Sequence, residues 1–194
     1  METKLINNAR LNRLIDAENL EEAHHVLGET DLGPDLRGSP SLEEIEIALE
    51  KKTAGLVKLL KESRVPATMC RYFQSHFDII NLRILLKSGF GQELPVDLST
   101  FGEVPVDRIR LLVKEGAYSG LPDYLEAAAD ETLIKYQVNS DFSVIDSTLD
   151  KHYFWNLVDL AEKLRSTWIE EYTRLIIDLA NGRMSLRSRQ KNIS

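Results

Sequence analysis

Apolar positions recur at helical spacing along nearly the whole chain. Leu42, Ile45, Leu49, Leu56, Leu59 and Leu60 fall three, four or seven residues apart, which places them on one stripe and predicts an amphipathic helix. Ser41 and Glu44 supply a capping box at its start, and it is expected to end near Ser63. Pro66 suits the opening of a second helix, since a proline lacks the N–H that a first turn leaves unpaired. That helix runs through Met69, Tyr72, Phe73, Phe77, Ile80, Leu82 and Leu85 to a stop at Gly89. Residues 90–104, with Gly91, Pro95 and Gly102, read as an irregular connector. Short helices are expected over 106–114 and, after Pro122, over 123–138. Asp141 can cap a long helix over 142–164, and a final helix spans 167 to about 189. Two short helices, 8–15 and 20–27, precede a Gly/Pro-rich turn from Gly33 to Pro40. No useful stretch alternates like a half-buried strand, so the predicted class is all-α.

The chain also resembles itself. An offset of 100 residues, without a gap, lays Tyr72, Asp78, Asn81, Arg83, Leu86 and Ser88 over Tyr172, Asp178, Asn181, Arg183, Leu186 and Ser188. The same offset pairs Ile45, Leu49, Lys51, Leu60 and Glu62 with their own kind. Chance would give roughly three identities in a window of this size, so these eleven point to an internal duplication. The expected organisation is N-terminal helices and a turn over 1–40, a first repeat with connector and short helices over 41–140, and a partial second repeat over 141–194. Each copy sets the polar pattern Asp-x-x-Asn-x-Arg in a helix that is apolar on nearly every face, which predicts burial. A buried unpaired carboxylate or guanidinium costs several kcal/mol, so both copies are expected to be paired or bound to backbone groups. Asp78 and Asn81 lie within one turn while Arg83 points elsewhere, so the pattern suits a structural network better than one small ligand.

Charge and chemistry narrow the function. The 194 residues carry a net charge of −7, and residues 1–50 hold twelve acids against four bases. This balance argues against a general nucleic-acid binder. After Asp178 come Arg183, Arg187, Arg189 and Lys191 with no acid, either helix-end electrostatics or a basic docking tip. Cys70, the single cysteine, cannot form an internal disulfide, no secretory leader is read at the start, and a cytoplasmic location is expected. Asp78, Asn81 and Arg83 interrupt the most hydrophobic stretch, so no membrane span is expected. The glycines form no phosphate-binding loop ending in Gly-Lys-Ser/Thr, so ATP hydrolysis by this chain and any cofactor are not expected. Glu21/His24 and Glu22/His25 have the one-turn spacing of di-iron bundles, but both pairs lie on one short helix. They read as a solvated acidic helix, with a metal-dependent bundle enzyme as the remote alternative. His76 and His152 sit on separate long helices without neighbours at metal spacing, and Cys70 reads as a small hydrophobe.

The run from Asp78 to Lys87, its copy from Asp178 to Arg187, Asn8-Ala9-Arg10-Leu11, Leu20-Glu21-Glu22-Ala23 before Glu29-Thr30-Asp31-Leu32-Gly33, and Leu149-Asp150-Lys151-His152-Tyr153-Phe154 occur in a distinctive order. In that order the chain resembles the C-type central-stalk component of bacterial and archaeal V/A-type ATPases, the counterpart of the d-type component of the eukaryotic enzymes. The resemblance implies a funnel of antiparallel helical repeats. It implies a non-catalytic member of the central stalk on the cytoplasmic face of the membrane. Its implied partners are the central-shaft subunits and the membrane rotor ring, and its work is coupling ATP hydrolysis or synthesis to proton or sodium transport. Exposed acids such as Glu43, Glu44 and Glu46 are candidate contacts. Members usually look threefold repeated, so a chain of this length is expected either to lack a third repeat or to be a shortened relative. Residue chemistry alone leaves a helical-repeat scaffold with other partners open.

Overall fold

The computed structural model describes residues 6–36, 41–92 and 97–191, with side chains of the last helix described to residue 186. Residues 37–40 of the expected turn, Pro95 of the connector and the side chains of Arg187, Arg189 and Lys191 lie outside the described residues. The described chain is helical, with no strand beyond an isolated bridge between Ser119 and Leu121. The helices are α1 (Asn8–Ile15), α2 (Leu20–Gly28), α3 (Leu42–Glu62), α4 (Ala67–Gly89), α5 (Val106–Glu115), α6 (Asp123–Asn139), α7 (Phe142–Leu164) and α8 (Thr167–Lys191), with a short 3-10 turn at Gly33–Asp35.

Local chemistry places most of these ends. Asn7, Asn19 and Asp141 each accept a backbone N–H from the first turn of α1, α2 and α7. Ser41 and Glu44 close the expected capping box on α3. Pro66, Pro105 and Pro122 each stand immediately before a helix, where φ near −65° is already suitable and no donor is wasted. Gly116 ends α5 at φ 64°, while Ser140 and Arg165 end α6 and α7 in the same left-handed region without being glycine. The α7–α8 reversal is correspondingly tight.

The chain divides into two compact units, Met1–Arg64 and Val65–Ser194. This division falls within the span 41–140 that the offset groups as one repeat. In the first unit α1 packs on α2, and Arg13 holds Glu29 through two hydrogen bonds of 2.7 and 2.9 Å. Bonding to Arg13 keeps the Glu29 carboxyl below its ordinary range. The Asp35 carboxyl, bonded to Lys51 and paired with Lys52, is held low for the same reason. Much of the apolar α3 stripe is open: Leu42, Leu49, Leu56 and Leu59 are exposed, Ile45 and Leu60 are partly buried, and the residues α3 buries are Ala48 and Val57. A 3.6-residue period identifies an apolar stripe, but burial requires a partner for it.

The second unit holds the main core. Leu82 and Leu86 of α4, Ile109 of α5, Leu125 and Ala129 of α6, and Ile145 and Leu149 of α7 are all essentially inaccessible to solvent and form one cluster. Two buried alanines, Ala128 and Ala129, let α6 approach its neighbours closely. A second cluster joins Tyr72 of α4, Leu157, Leu160 and Ala161 of α7, and Ile169 of α8. The Tyr72 hydroxyl lies 2.7 Å from that of Thr173, which itself donates to the Ile169 carbonyl, pinning the start of α8 to α4.

Candidate functional site

One face of α4 binds the connector. Gln74, Asp78 and Asn81 stand at i, i+4 and i+7, so their side chains leave the helix in one direction. The Gln74 amide donates to the carbonyls of Phe101 and Gly102, each at 3.1 Å. The Asp78 carboxylate accepts the backbone N–H groups of Glu103 at 3.0 Å and Val104 at 3.1 Å. Asn81 works in both directions on Ser99, donating to its carbonyl and accepting its N–H, each at 2.8 Å. Six hydrogen bonds thus supply the connector with the partners that a helix or sheet would otherwise give it. Gly102 is required here, because a Cβ at that position would overlap the Asp78 carboxylate. Asp78 is 1% exposed, and burial raises its carboxyl to about 6 despite the two backbone donors.

Arg83 serves a different neighbour. It pairs with Asp146, 3.4 Å from Nε, and with Asp150, while Lys87 reaches Asp146 at 2.8 Å. Two cations one turn apart on α4 therefore face two acids one turn apart on α7. A third polar group lies between α6 and α7, where Glu131 receives Lys135 and Lys151 at 2.7 Å and His152 Nε2 at 2.6 Å. Bonding to Lys135, then Lys151 and His152, holds the Glu131 carboxyl at about 2. Lys151 also lies 4.7 Å above the exposed Trp155 ring. Beside this group a cavity of about 580 Å³ opens among Arg71, Glu103, Tyr124, Trp155, Asn156 and Lys163, with charges of both signs on its walls.

The expected motif residues thus divide. Asp78 and Asn81 are fully buried on the connector, and Arg83 is partly buried on α7. The second copy, expected to be buried, is not: Asp178, Asn181 and Arg183 are exposed on α8, and Tyr172 is 38% exposed, stacked on Trp168. The helix faces are alike; what differs is that α4 is covered by α5, α6 and α7. Glu43, Glu44 and Glu46 are exposed in the first turns of α3, with the Glu44 carboxylate committed to the Ser41 N–H at 2.7 Å.

One histidine differs from expectation. His24 is buried rather than solvated, while His25 points outward 3.8 Å from Glu29. His152 has a carboxylate partner, Glu131, twenty-one residues earlier in sequence. No group of three or more His, Cys, Asp or Glu among the described residues is disposed to hold a metal ion. Cys70 is half-buried on α4. Gln74, Gly102, Asp146 and Asp150 were not singled out by the repeat. The i, i+4, i+7 spacing of 74, 78 and 81, and the one-turn spacing of 146 and 150, are the signals that could have found them.

No helix among the described residues is long and apolar enough to cross a membrane. The sequence matches the ATP synthase (C/AC39) subunit family over residues 1–194. It is 26% identical over 214 aligned positions to the C-type subunit of the A-type ATP synthase of Methanocaldococcus jannaschii. That alignment takes in all of this chain and 53% of the relative, so the chain spans about half the length of the curated relative it matches. With the matched span running from the first residue to the last, the chain belongs to the ATP synthase (C/AC39) subunit family.

Proposed function

We propose that this chain is a non-catalytic, central-stalk element of a V/A-type rotary ATPase. In this reading it stands at the cytoplasmic face of the membrane between the shaft of the ATP-hydrolysing motor and the membrane rotor ring. There it passes torque in either direction, coupling ATP hydrolysis or synthesis to proton or sodium movement. The observation that carries the reading is the family match along the entire chain. The local structure supports it on mechanical grounds. A torque adaptor works by deforming little, and two features of the second unit oppose deformation. The connector is tied to α4 by Gln74, Asp78 and Asn81, and the α4–α7 contact is keyed by paired charges above an apolar core. Of the candidate contact acids, Glu43 and Glu46 keep their carboxylates clear of the cap and are the better placed for a basic partner surface. Size-exclusion chromatography of the chain with the shaft subunits, and separately with the detergent-solubilised ring, tests the reading. Co-migration with each is expected, and failure to associate with both would overturn it.

A further inference from the structure

The segment 99–104 makes no backbone–backbone hydrogen bond with another element among the described residues. Its polar groups are held by side chains on one face of α4: Gln74 on the Phe101 and Gly102 carbonyls, Asp78 on the Glu103 and Val104 N–H groups, and Asn81 on Ser99. Apolar contact adds Phe101, edge-on to Phe77 of α4 at 5.5 Å, and the buried Val104. The α4 helix keeps its own backbone bonds and its packing on α6 and α7, so the segment can leave without unwinding it. Asp78 is the one charged anchor, and no ion pair among the described residues includes it. The cations around it are committed elsewhere: Arg71 of α4 to Glu103 at 2.9 Å, Arg83 and Lys87 to acids of α7, and Arg108 of α5 to the Gly120 carbonyl. Facing Asp78 are Glu103 on the segment and Tyr124 on α6. The Tyr124 hydroxyl is buried without a hydrogen-bond partner and is pushed up by that burial, then by the charges of Asp78 and Glu103, with Tyr153 of α7 acting on it in turn. Two N–H groups, both of the segment, are thus the support that the Asp78 charge has among the described residues.

We propose that segment 99–104 is a proton-linked latch: it detaches from α4 while the helices stay packed, and the neutral Asp78 acid holds it shut more firmly than the carboxylate does. Detachment admits water to Asp78, and water solvates the anion better than two N–H groups in a site without a cation. The carboxyl therefore binds its proton more tightly with the segment seated, titrating at about 6 there against an ordinary value of 3.8. Opening releases that proton, so the open fraction rises with pH across this interval and is level above it. Acid closes the latch, and a neutral medium loosens it. This goes beyond the central-stalk reading and is measured on the chain alone, so either can fail without the other.

Amide hydrogen exchange of the full chain, followed by NMR between pH 4 and pH 7 and divided by the intrinsic rate at each pH, is the test. The amides of Ser99, Glu103 and Val104 donate to Asn81 and Asp78 and report the latch; those of Ala129 and Leu149, in the core, report larger openings. The latch amides are expected to be less protected than the core amides and indifferent to low urea, whereas core protection falls with urea. In the wild type, latch protection should fall about fiftyfold from pH 4 to pH 7. Asp78→Asn should abolish that fall. Gln74→Ala removes two anchors and no charge, and should lower latch protection about tenfold at every pH while keeping the fall. Wild-type latch amides that exchange only together with the core, or whose protection is flat or rises with pH, would overturn the proposal. So would a fall that survives Asp78→Asn, or latch protection unmoved by Gln74→Ala.

Discussion

Asp78→Asn separates the two roles of the buried carboxylate, accepting hydrogen bonds and carrying charge. The Asp78 carboxyl titrates at about 6 instead of 3.8, because burial outweighs the two backbone donors. The folded protein therefore binds this proton more tightly than the unfolded chain does. The stability contributed by the group is fully present below about pH 3.8, declines as pH rises to about 6, and is level above that. At about 1.4 kcal/mol per tenfold change, the loss across this window is about 3 kcal/mol. Asparagine cannot titrate, so this slope disappears. It keeps one acceptor oxygen and turns an amide toward the second backbone N–H, leaving a buried donor unpaired at about 1–3 kcal/mol. The variant should accordingly be less stable than wild type near pH 4 and equal or slightly more stable at pH 7. Urea unfolding at each pH, followed by tryptophan fluorescence, reads the difference. Both tryptophans, Trp155 and Trp168, belong to the second unit, so the signal reports the unit that contains Asp78. Subtracting the two profiles cancels Glu131, whose carboxyl is depressed to about 2 and whose contribution is lost at lower pH. Parallel profiles, or a wild type that gains on the variant as pH rises, would refute the reasoning.

Three further outcomes follow from the same geometry. Gly102→Ala should destabilise the second unit by about 1–3 kcal/mol in urea unfolding, because the added methyl displaces the Asp78 carboxylate from the connector. Arg83→Ala should cost only about 1 kcal/mol, and less in high salt, since its partners Asp146 and Asp150 are partly exposed; the measurement is the same titration with and without added salt. Tyr72→Phe removes the hydroxyl contact to Thr173 but leaves Thr173 its bond to the Ile169 carbonyl, so a loss near 1 kcal/mol is expected in thermal unfolding.

The helices were legible because their ends are written locally. Ser41 and Asp141 as caps, and Pro66 and Pro122 as openers, mark boundaries that the structure places within a residue or two of expectation. The route of the connector was not legible, because Gln74, Asp78 and Asn81 bind backbone groups 18 to 28 residues away, and such bonds leave no period in the sequence. The exposure of Leu49 and Leu56 on α3, and of Asp178 and Asn181 on α8, shows a second limit. A residue pattern states which face is suited to burial, while the presence of a covering element is a property of the assembly of helices. His24 illustrates the same limit in reverse, since it is buried on a helix whose acidic neighbours suggest solvent.

The tie between α4 and the connector also sets an order of events. The segment 99–104 owes its path to side chains of a helix that must already be wound before Gln74, Asp78 and Asn81 share a face. Loop closure is spent on bringing the strap back, and its bonds are realised only when the strap arrives. Such contacts are expected to form on the native side of the folding barrier. Breaking them is expected to quicken unfolding while leaving the rate of folding nearly unchanged, so the strap governs how long the second unit stays folded more than how soon it folds.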